Sequence, residues 1–271
     1  MRDEECVRLL QWALPQLRMR WTGFRKVRGQ VCKRVARRMS ELGIDREADY
    51  RAYLASSPQE WSLLDSLCRV SVSRFYRDRL LFIHLQREVF PELARQALAR
   101  GEDRLRVWSV GCASGEEPYT VALMWMLGLQ ASFPGLRLEI VATDTDGALL
   151  ERARRACYPY SAVKNLPAAW RETAFTRQGE YYLLEASYRQ LVSFAEQDVR
   201  VEITEGPLDL VLCRNLVFTY FIERVQCEIL QRLQASIREG GGLVIGIHET
   251  LPACGAGPGI WSEKLRIYKK S

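Results

Sequence analysis

The chemistry in this chain starts at a turn of small residues. Gly111-Cys112-Ala113-Ser114-Gly115 is followed directly by Glu116 and Glu117, and Asp144 closes an apolar run over 138–143. Small residues let the backbone approach a ligand closely. The turn lacks the GxGxxG pattern of a dinucleotide site and the lysine of a P-loop. A pyrophosphate prefers bare N–H groups at a helix N-terminus, so two acids after the turn argue for a different cofactor. One with a cationic amino-acid end, such as S-adenosylmethionine, suits them better, with either glutamate facing the ammonium directly or through water. The plainer reading, in which both acids only favour the positive end of a helix, stays open. Asp144, at the end of a strand, suits the two ribose hydroxyls of a nucleoside. Its neighbour Asp146 suits the cap of the next helix. Asp198 is placed to accept from an adenine amino group with Val199 beside the ring, or else it is a solvated loop acid.

Two further stretches carry polar groups. Arg214-Asn215 follows the apolar run 208–213 and must emerge at the carboxyl edge of its strand, where open α/β sheets bind ligands. Asn215 can offer backbone or amide hydrogen bonds to the cofactor. Arg214 is either a substrate-facing cation or a support behind the site, and Tyr220 lies where the loop enters a helix. In Ser71-Val72-Ser73-Arg74-Phe75-Tyr76-Arg77-Asp78, hydroxyls, aromatics and an arginine stand where a pocket wall can form. Arg77 can bind a carboxylate bidentately. The alternative pairs it with Asp78 or a surface acid and leaves the aromatics as interdomain core.

The elements that position these residues follow from periodicity. Residues 1–90 read as helical. Phe24, Val27, Val31, Val35 and Met39 recur at helical spacing, Gly43 ends that helix, and Asp45 is a cap for one near 46–55. Another helix starts near Pro58 with Trp61, Leu64 and Leu67 inward. Strand 105–110, the turn, a helix from Glu116 or Glu117, strand 138–143 and a helix over 148–156 form a βαβ unit. Residues 179–184 and 190–194 form a short hairpin, or 192–194 lead a third core strand ending near Asp198. Strand 208–213 precedes a helix over 222–238 closed by Gly240-Gly241-Gly242, then strand 243–247 and a late, edge-like strand. The expected architecture is a doubly wound, Rossmann-like α/β sheet over 91–271, with a small all-helical N-terminal domain over 1–90 and a short irregular or hairpin insertion near 179–193.

Composition narrows the function class. Residues 1–40 hold eleven Lys or Arg against three acids, a net of +8, so the rest of the chain is slightly acidic within a total of +6. That basic region suits an acidic partner: nucleic acid, anionic lipid or an acidic protein surface. The eight cysteines form no CxxC pair and read as reduced and mostly buried. With two histidines, neither a metal site nor a histidine-centred triad is expected. No apolar run is long enough to span a membrane. A cytoplasmic monomer is the expectation.

The pieces together resemble the chemotaxis receptor methyltransferases, the CheR family. Residues 71–78 resemble its TxFFRD-type segment, and Gly111-Cys112-Ala113-Ser114-Gly115-Glu116-Glu117-Pro118-Tyr119 its GCSTGEEPYS. Ala142-Thr143-Asp144-Thr145-Asp146 resembles ATDID, Cys213-Arg214-Asn215 the CRN signature, and residues 246–251 the late GxxExL piece. The resemblance spans nearly the whole chain. It implies transfer of a methyl group from S-adenosylmethionine to glutamate side chains of chemoreceptor cytoplasmic domains, with S-adenosylhomocysteine as product. It places Ser71, Ser73 and Arg77 in the cofactor or catalytic pocket. Glu117 and Asp144, beside Gly111, would hold the amino-acid end and ribose, Asp198-Val199 would frame adenine, and Arg214-Asn215 would complete the wall. The basic helix would meet acidic receptor helices, which leaves RNA or lipid a lesser place.

The sequence also departs from that pattern. Where the family has tyrosine five residues after the CRN arginine, this chain has Thr219, with Tyr220 one later; Tyr220 is expected to join Arg77 and Arg214 as a catalytic residue through a one-residue loop adjustment, or else the substrate face is altered. Ser71 and Ser73 stand where the family has asparagine and threonine. The 179–193 region is short for the subdomain with which some members grip a receptor's C-terminal peptide, so no such tether, or a different one, is expected. The alternatives are another acceptor (a protein, an RNA or a small carboxylic acid) and a non-catalytic S-adenosylmethionine-binding signalling module.

Overall fold

A computed structural model describes residues 2–254 and 258–270. By internal contacts the chain forms two compact units: the chain up to Ser71 together with Thr219–Gln226, and Val72–Phe218 together with the chain from Cys227 on. The division near residue 90 expected from sequence moves to Ser71. The cause is the apolar face of residues 75–97: Phe75, Leu81, Phe82, Leu85, Val89, Phe90 and Leu93 are buried in the same core as Val107, Tyr119, Leu123 and Trp125.

The first unit is helical. Its main helices are Asp3–Gln16, Arg28–Glu41, Glu47–Ser56 and Pro58–Cys68. Val31, Val35 and Met39 bury one face of Arg28–Glu41, while Phe24 lies in a separate turn of helix, Trp21–Phe24. Gly43 ends the helix at φ +67° as expected. The next helix begins one residue later than Asp45 could cap, with Arg46 at its N-cap. In Pro58–Cys68 the buried stripe is Glu60, Leu64 and Cys68, leaving Trp61 and Leu67 half-buried. The reason is charge: Glu60 accepts from Arg38 at 2.8 and 3.0 Å and from the Tyr50 hydroxyl at 2.9 Å. Arg28 pairs with Asp3 at 3.0 Å, and Arg34 donates to the carbonyls of Leu67 and Arg69. Residues 219–226 join this unit through a bridge between Met19 and Phe221 and the Arg20 N–H donated to the Tyr220 carbonyl at 2.8 Å.

The second unit holds a seven-stranded sheet. Its strands, within a chain-wide numbering, are β1 (Arg104–Val110), β2 (Arg137–Asp144), β6 (Val192–Glu196), β7 (Leu208–Cys213), β8 (Ile237–Ile245), β9 (Gly259–Ser262) and β10 (Ile267–Lys269). They lie in the order β6-β2-β1-β7-β8-β10-β9, with β6 through β8 parallel and β10 and β9 antiparallel. Strand order reverses between β1 and β7, the switch point where doubly wound sheets bind ligands. The choice left open for residues 192–194 is resolved as a core strand.

Three sequence expectations are corrected. Gly240-Gly241-Gly242 does not close a helix: the helix is Glu223–Ser236, and the glycines lie within β8. Gly240, at φ +77°, donates its N–H to the Lys270 carbonyl, and a Cβ on Gly241 would sit 2.9 Å from the Asp209 carbonyl oxygen. The insertion is no short hairpin but an antiparallel sheet of β3 (Cys157–Pro159), β5 (Tyr181–Leu184) and β4 (Phe175–Gln178). β4 and β3, at four and three residues, are too short for alternation to mark them in the sequence. Nor are all cysteines reduced. Cys6 pairs with Cys32 and Cys227 with Cys254, leaving Cys68, Cys112 and Cys213 as buried thiols and Cys157 as an exposed one. Each bridge joins residues of elements adjacent in space but 26 or 27 apart in sequence, a spacing without any motif. Among the described residues no helix is long and apolar enough to cross a membrane, and no cluster could hold a metal ion.

The Cys6–Cys32 bridge closes a long loop in a small helical unit. Replacing both cysteines with alanine is expected to lower unfolding free energy by about 3 kcal/mol, read as a lower urea midpoint under non-reducing conditions. An unchanged midpoint would show that the bridge constrains little.

Candidate active site

The parallel register sets the site. Val110 of β1 lies level with Thr143 of β2 and Cys213 of β7, and Asp144 with Glu196 of β6. The residues at or just past the ends of these strands (Gly111, Asp144, Asp198 and Arg214-Asn215) therefore emerge along one carboxyl edge. The turn after β1 folds back on β2: Gly111 and Cys112 both donate their N–H groups to the Thr143 carbonyl, at 2.8 and 2.9 Å. Gly111 needs its φ of +70°, and a Cβ there would strike Leu216 at 2.6 Å. Gly115 at φ +86° starts the helix Glu116–Gly128. The Tyr158 hydroxyl of β3 donates to the Ser114 carbonyl at 2.6 Å, so the small sheet braces the turn.

Asp144 stands where expected, and its carboxylate also organises the backbone. Oδ2 accepts from the Ala113 N–H at 2.9 Å and Oδ1 from the Asp146 N–H at 3.0 Å. A carboxylate has about four acceptor positions, so Asp144 as a whole keeps lone-pair capacity. Burial pushes the Asp144 carboxyl up, against the lowering effect of those N–H groups. Asp146 caps the helix Gly147–Arg155 through the N–H groups of Ala148 and Leu149, as the sequence suggested. Asp198 binds Arg200 at 2.7 Å, and Val199 beside it is buried.

The two glutamates divide. Glu117 is engaged at both oxygens: Ser109 Oγ donates to Oε1 at 2.8 Å and Arg214 Nη1 to Oε2 at 2.7 Å. Glu116 is buried, Ser73 stands beside it, and its Oε2 is without a hydrogen-bond partner among the described residues. Glu116 is therefore the acid with unused capacity, although the resemblance singled out Glu117.

Arg214 is a support and not a surface cation. Only 2% of its side chain is exposed. It bridges Glu117 and Asp78, the latter at 2.5 Å, donates to the Arg77 carbonyl at 3.3 Å, and lies 5.5 Å from the Phe82 ring centroid. Asp78 is thus spent on Arg214 and not on Arg77. The half-buried Arg77 guanidinium donates to the Val72 carbonyl at 2.8 Å, its one partner among the described residues. Phe75 and Tyr76 belong to the core of this unit: Phe75 packs edge-on against Tyr158 at 4.8 Å, and Tyr76 stacks on Phe82 at 5.6 Å. Asn215 takes a left-handed conformation at φ +56°, and its N–H donates to Glu249 Oε2 at 2.8 Å. Of the remaining candidates, Ser71 is exposed, and both it and Tyr220 belong to the helical unit, where the Tyr220 ring packs 4.9 Å from Phe24.

The site thus offers a glycine cradle, a strand-end carboxylate with spare capacity and a buried glutamate with an orphaned oxygen. Those are the donors and acceptors that a ribose and a cationic amino-acid end require, so the residues present fit S-adenosylmethionine. From the sequence Ser109 had no role, Asp78 stood only as a partner for Arg77, and Glu249 only as part of the 246–251 piece; the bonds from Arg214 to Asp78 and from Asn215 to Glu249 join residues 136 and 34 apart.

Burial holds the Glu116 carboxyl above its ordinary range. The folded chain therefore binds that proton more tightly than the unfolded chain. The cost of ionisation is absent below the ordinary carboxylate pKa of about 4.3 and complete above the raised one. Without cofactor, Glu116→Gln is expected to be more stable than wild type at pH 8 by roughly 1–3 kcal/mol, with the gap closing towards pH 4. Thermal unfolding across that range checks it; parallel curves would refute it.

A family model, "CheR methyltransferase, SAM binding domain", matches residues 71–256. A chemotaxis protein methyltransferase of Listeria monocytogenes is 36% identical over 186 residues, covering 69% of this chain and 68% of its own. That of Escherichia coli is 31% identical, over 82% of this chain and 76% of its own. Chemotaxis protein methyltransferase 2 of Pseudomonas aeruginosa is also 31% identical, over 81% and 77%. With the glycine turn, the strand-end Asp144 and the Arg214 cluster in place, the chain belongs to the CheR methyltransferase family, and its second unit is an S-adenosylmethionine-dependent methyltransferase fold.

Proposed function

We propose that the protein transfers a methyl group from S-adenosylmethionine to glutamate γ-carboxylates of an acidic, helical, chemoreceptor-like protein, yielding the methyl ester and S-adenosylhomocysteine. The observation that carries this is how the site's two arginines are used. Arg214 is buried, and its two terminal nitrogens are paired with two carboxylates, whereas Arg77 holds one carbonyl, pairs with no acid among the described residues and keeps most of its five N–H donors. A guanidinium with free donors is what a carboxylate acceptor needs for bidentate orientation.

The chemistry asks little else of the side chains. When bound, S-adenosylmethionine supplies an electrophilic methyl group on a sulfonium. A glutamate γ-carboxylate, with a pKa near 4.3, is ionised at neutral pH and has no proton to lose. The chain's task is therefore to align the carboxylate and limit water. Arg77 orients the acceptor, Asp144 and Glu116 hold the ribose and amino-acid end, Val199 packs against adenine beside Asp198, and Asn215 completes the wall. No residue has to act as a general base, which agrees with a site built without histidine.

The helical unit supports an acidic partner. With Arg28, Arg34, Arg37 and Arg38 each engaged by a partner within the unit, Arg25, Lys26 and Lys33 remain as exposed cations around the helix Arg28–Glu41. Those charges suit acidic helices of a receptor.

Incubation with methyl-labelled S-adenosylmethionine and receptor cytoplasmic fragments is expected to give base-labile label on glutamate. Tight cofactor binding without transfer to any receptor fragment would overturn the substrate assignment, and label on RNA would replace it. Arg77→Ala is expected to lower kcat/KM for the receptor about 100-fold with little change in thermal midpoint, and Arg77→Lys to recover only part of the loss. A wild-type rate in Arg77→Ala would remove Arg77 from the reaction.

A further inference from the structure

The segment after β8 carries a buried acid for which the reaction has no direct use. Glu249 is 4% exposed, although His248 and Thr250 on either side are exposed. Its Oε2 accepts two backbone N–H groups, from Gly246 at 2.6 Å and from Asn215 at 2.8 Å. The Glu249 N–H in turn donates to the Gly246 carbonyl at 2.8 Å, closing a tight turn over 246–249. A single carboxylate oxygen therefore joins the turns that leave two neighbouring parallel strands, β7 and β8, which are in register at Cys213 and Ile245.

Gly246 makes this junction sterically feasible. A Cβ there would lie 2.7 Å from Glu249 Oε2 and 2.9 Å from Asn215 Oδ1, so both side chains occupy the space that glycine leaves. Asn215 sits at φ +56°, a left-handed conformation that asparagine tolerates better than most residues but does not prefer. Something must hold it there, and the Glu249 bond to its N–H does so directly. The same segment is tied down at its far end, where Cys254 is bridged to Cys227 of the helix Glu223–Ser236.

We propose that Glu249 is a positioning residue of the cofactor site: its carboxylate locks Asn215 in the left-handed conformation that presents the Asn215 side chain at the carboxyl edge. Glu249 acts only through Asn215. The proposal rests on the reading that Asn215 belongs to the cofactor wall. It predicts that Glu249 and Asn215 behave as one unit in cofactor binding.

The test is calorimetric affinity for S-adenosylhomocysteine in the full chain, which needs no methyl acceptor. Glu249→Ala is expected to weaken binding about tenfold or more, the effect of losing a hydrogen bond to a buried charge. Asn215→Ala is expected to give a similar loss, and the double variant to bind no more weakly than the worse single one. Glu249→Gln keeps an acceptor oxygen and is expected to stay within a few-fold of wild type. A merely structural glutamate would lower the thermal midpoint without this pattern. Folded Glu249→Ala with wild-type affinity, or losses that add in the double variant, would overturn the proposal. Should Glu249→Ala not fold, Gly246→Ala decides, because its Cβ presses on both side chains. A loss of about tenfold supports the lock, and wild-type affinity in the folded variant sinks it. Failure of the wild-type chain to bind S-adenosylhomocysteine would overturn the cofactor reading and this proposal with it.

Discussion

The second unit is organised around one buried cation. Placing the Arg214 guanidinium at 2% exposure costs several kcal/mol in lost hydration. Glu117 and Asp78, both within hydrogen-bond distance, and the adjacent Phe82 ring offset that cost. The partners come from separate parts of the chain: Glu117 from the first turn of the helix Glu116–Gly128, Asp78 from the end of the 71–78 segment, and Arg214 from the end of β7. Ser109 of β1 adds the other bond to Glu117. Removing either acid leaves a buried charge under-compensated, the costly case for buried ion pairs. The cluster therefore fixes where the 71–78 segment meets the sheet edge, and with it the position of Arg77.

That constraint separates structure from function among like residues. Of two arginines near the site, the buried one is ion-paired with two acids and the half-buried one holds a single carbonyl. Of two adjacent glutamates, one is used up by Ser109 and Arg214, and the other keeps an unpartnered oxygen. Asp144 does both jobs, since it shapes the turn through two backbone N–H groups and retains lone pairs. Arg77, Glu116 and Asp144 are the residues to which the proposed reaction assigns contacts. Charge type alone would not have distinguished them.

Much of this was legible in the sequence where local signals coincide. Residues 105–146 combine strand periodicity, a glycine turn, an acidic helix start and a strand-end aspartate, and the structure places each where the pattern put it. The small-residue turn also marked the sheet's carboxyl edge correctly. Features that depend on distant partners were not legible. Nothing in Glu117 reveals that Arg214 neutralises it 97 residues later. Nothing in Cys6 points to Cys32 over Cys68. The glycines at 240–242 carry two meanings, helix stop or close strand packing, and only the pairing with Lys270 and the Asp209 carbonyl selects between them. The boundary near residue 90 failed for a similar reason: the helices over 79–99 have the same amphipathic period as those before them, and periodicity does not say which core an apolar face joins.

Methyl transfer to a carboxylate explains why such a site can be built almost wholly from fixed charges. No proton has to move, so nothing must titrate near neutral pH, and the site gains by holding each charge in one state. The surroundings act in that direction. The Arg214 cluster gives Glu117 and Asp78 a permanent cation. Glu249 meets two N–H groups, and Asp144 accepts from the backbone at each oxygen. Among the described residues Glu116 alone has a buried carboxylate oxygen without a hydrogen-bond partner, and burial holds its carboxyl up. A cationic ligand group next to that oxygen would recover the electrostatic energy that folding leaves unspent, so the least satisfied group in the apo chain is the one with most to gain from the cofactor. With Glu116 at the amino-acid end, as proposed, selectivity for a positive charge there would follow from the burial of Glu116 itself, before any contact to the nucleoside is counted.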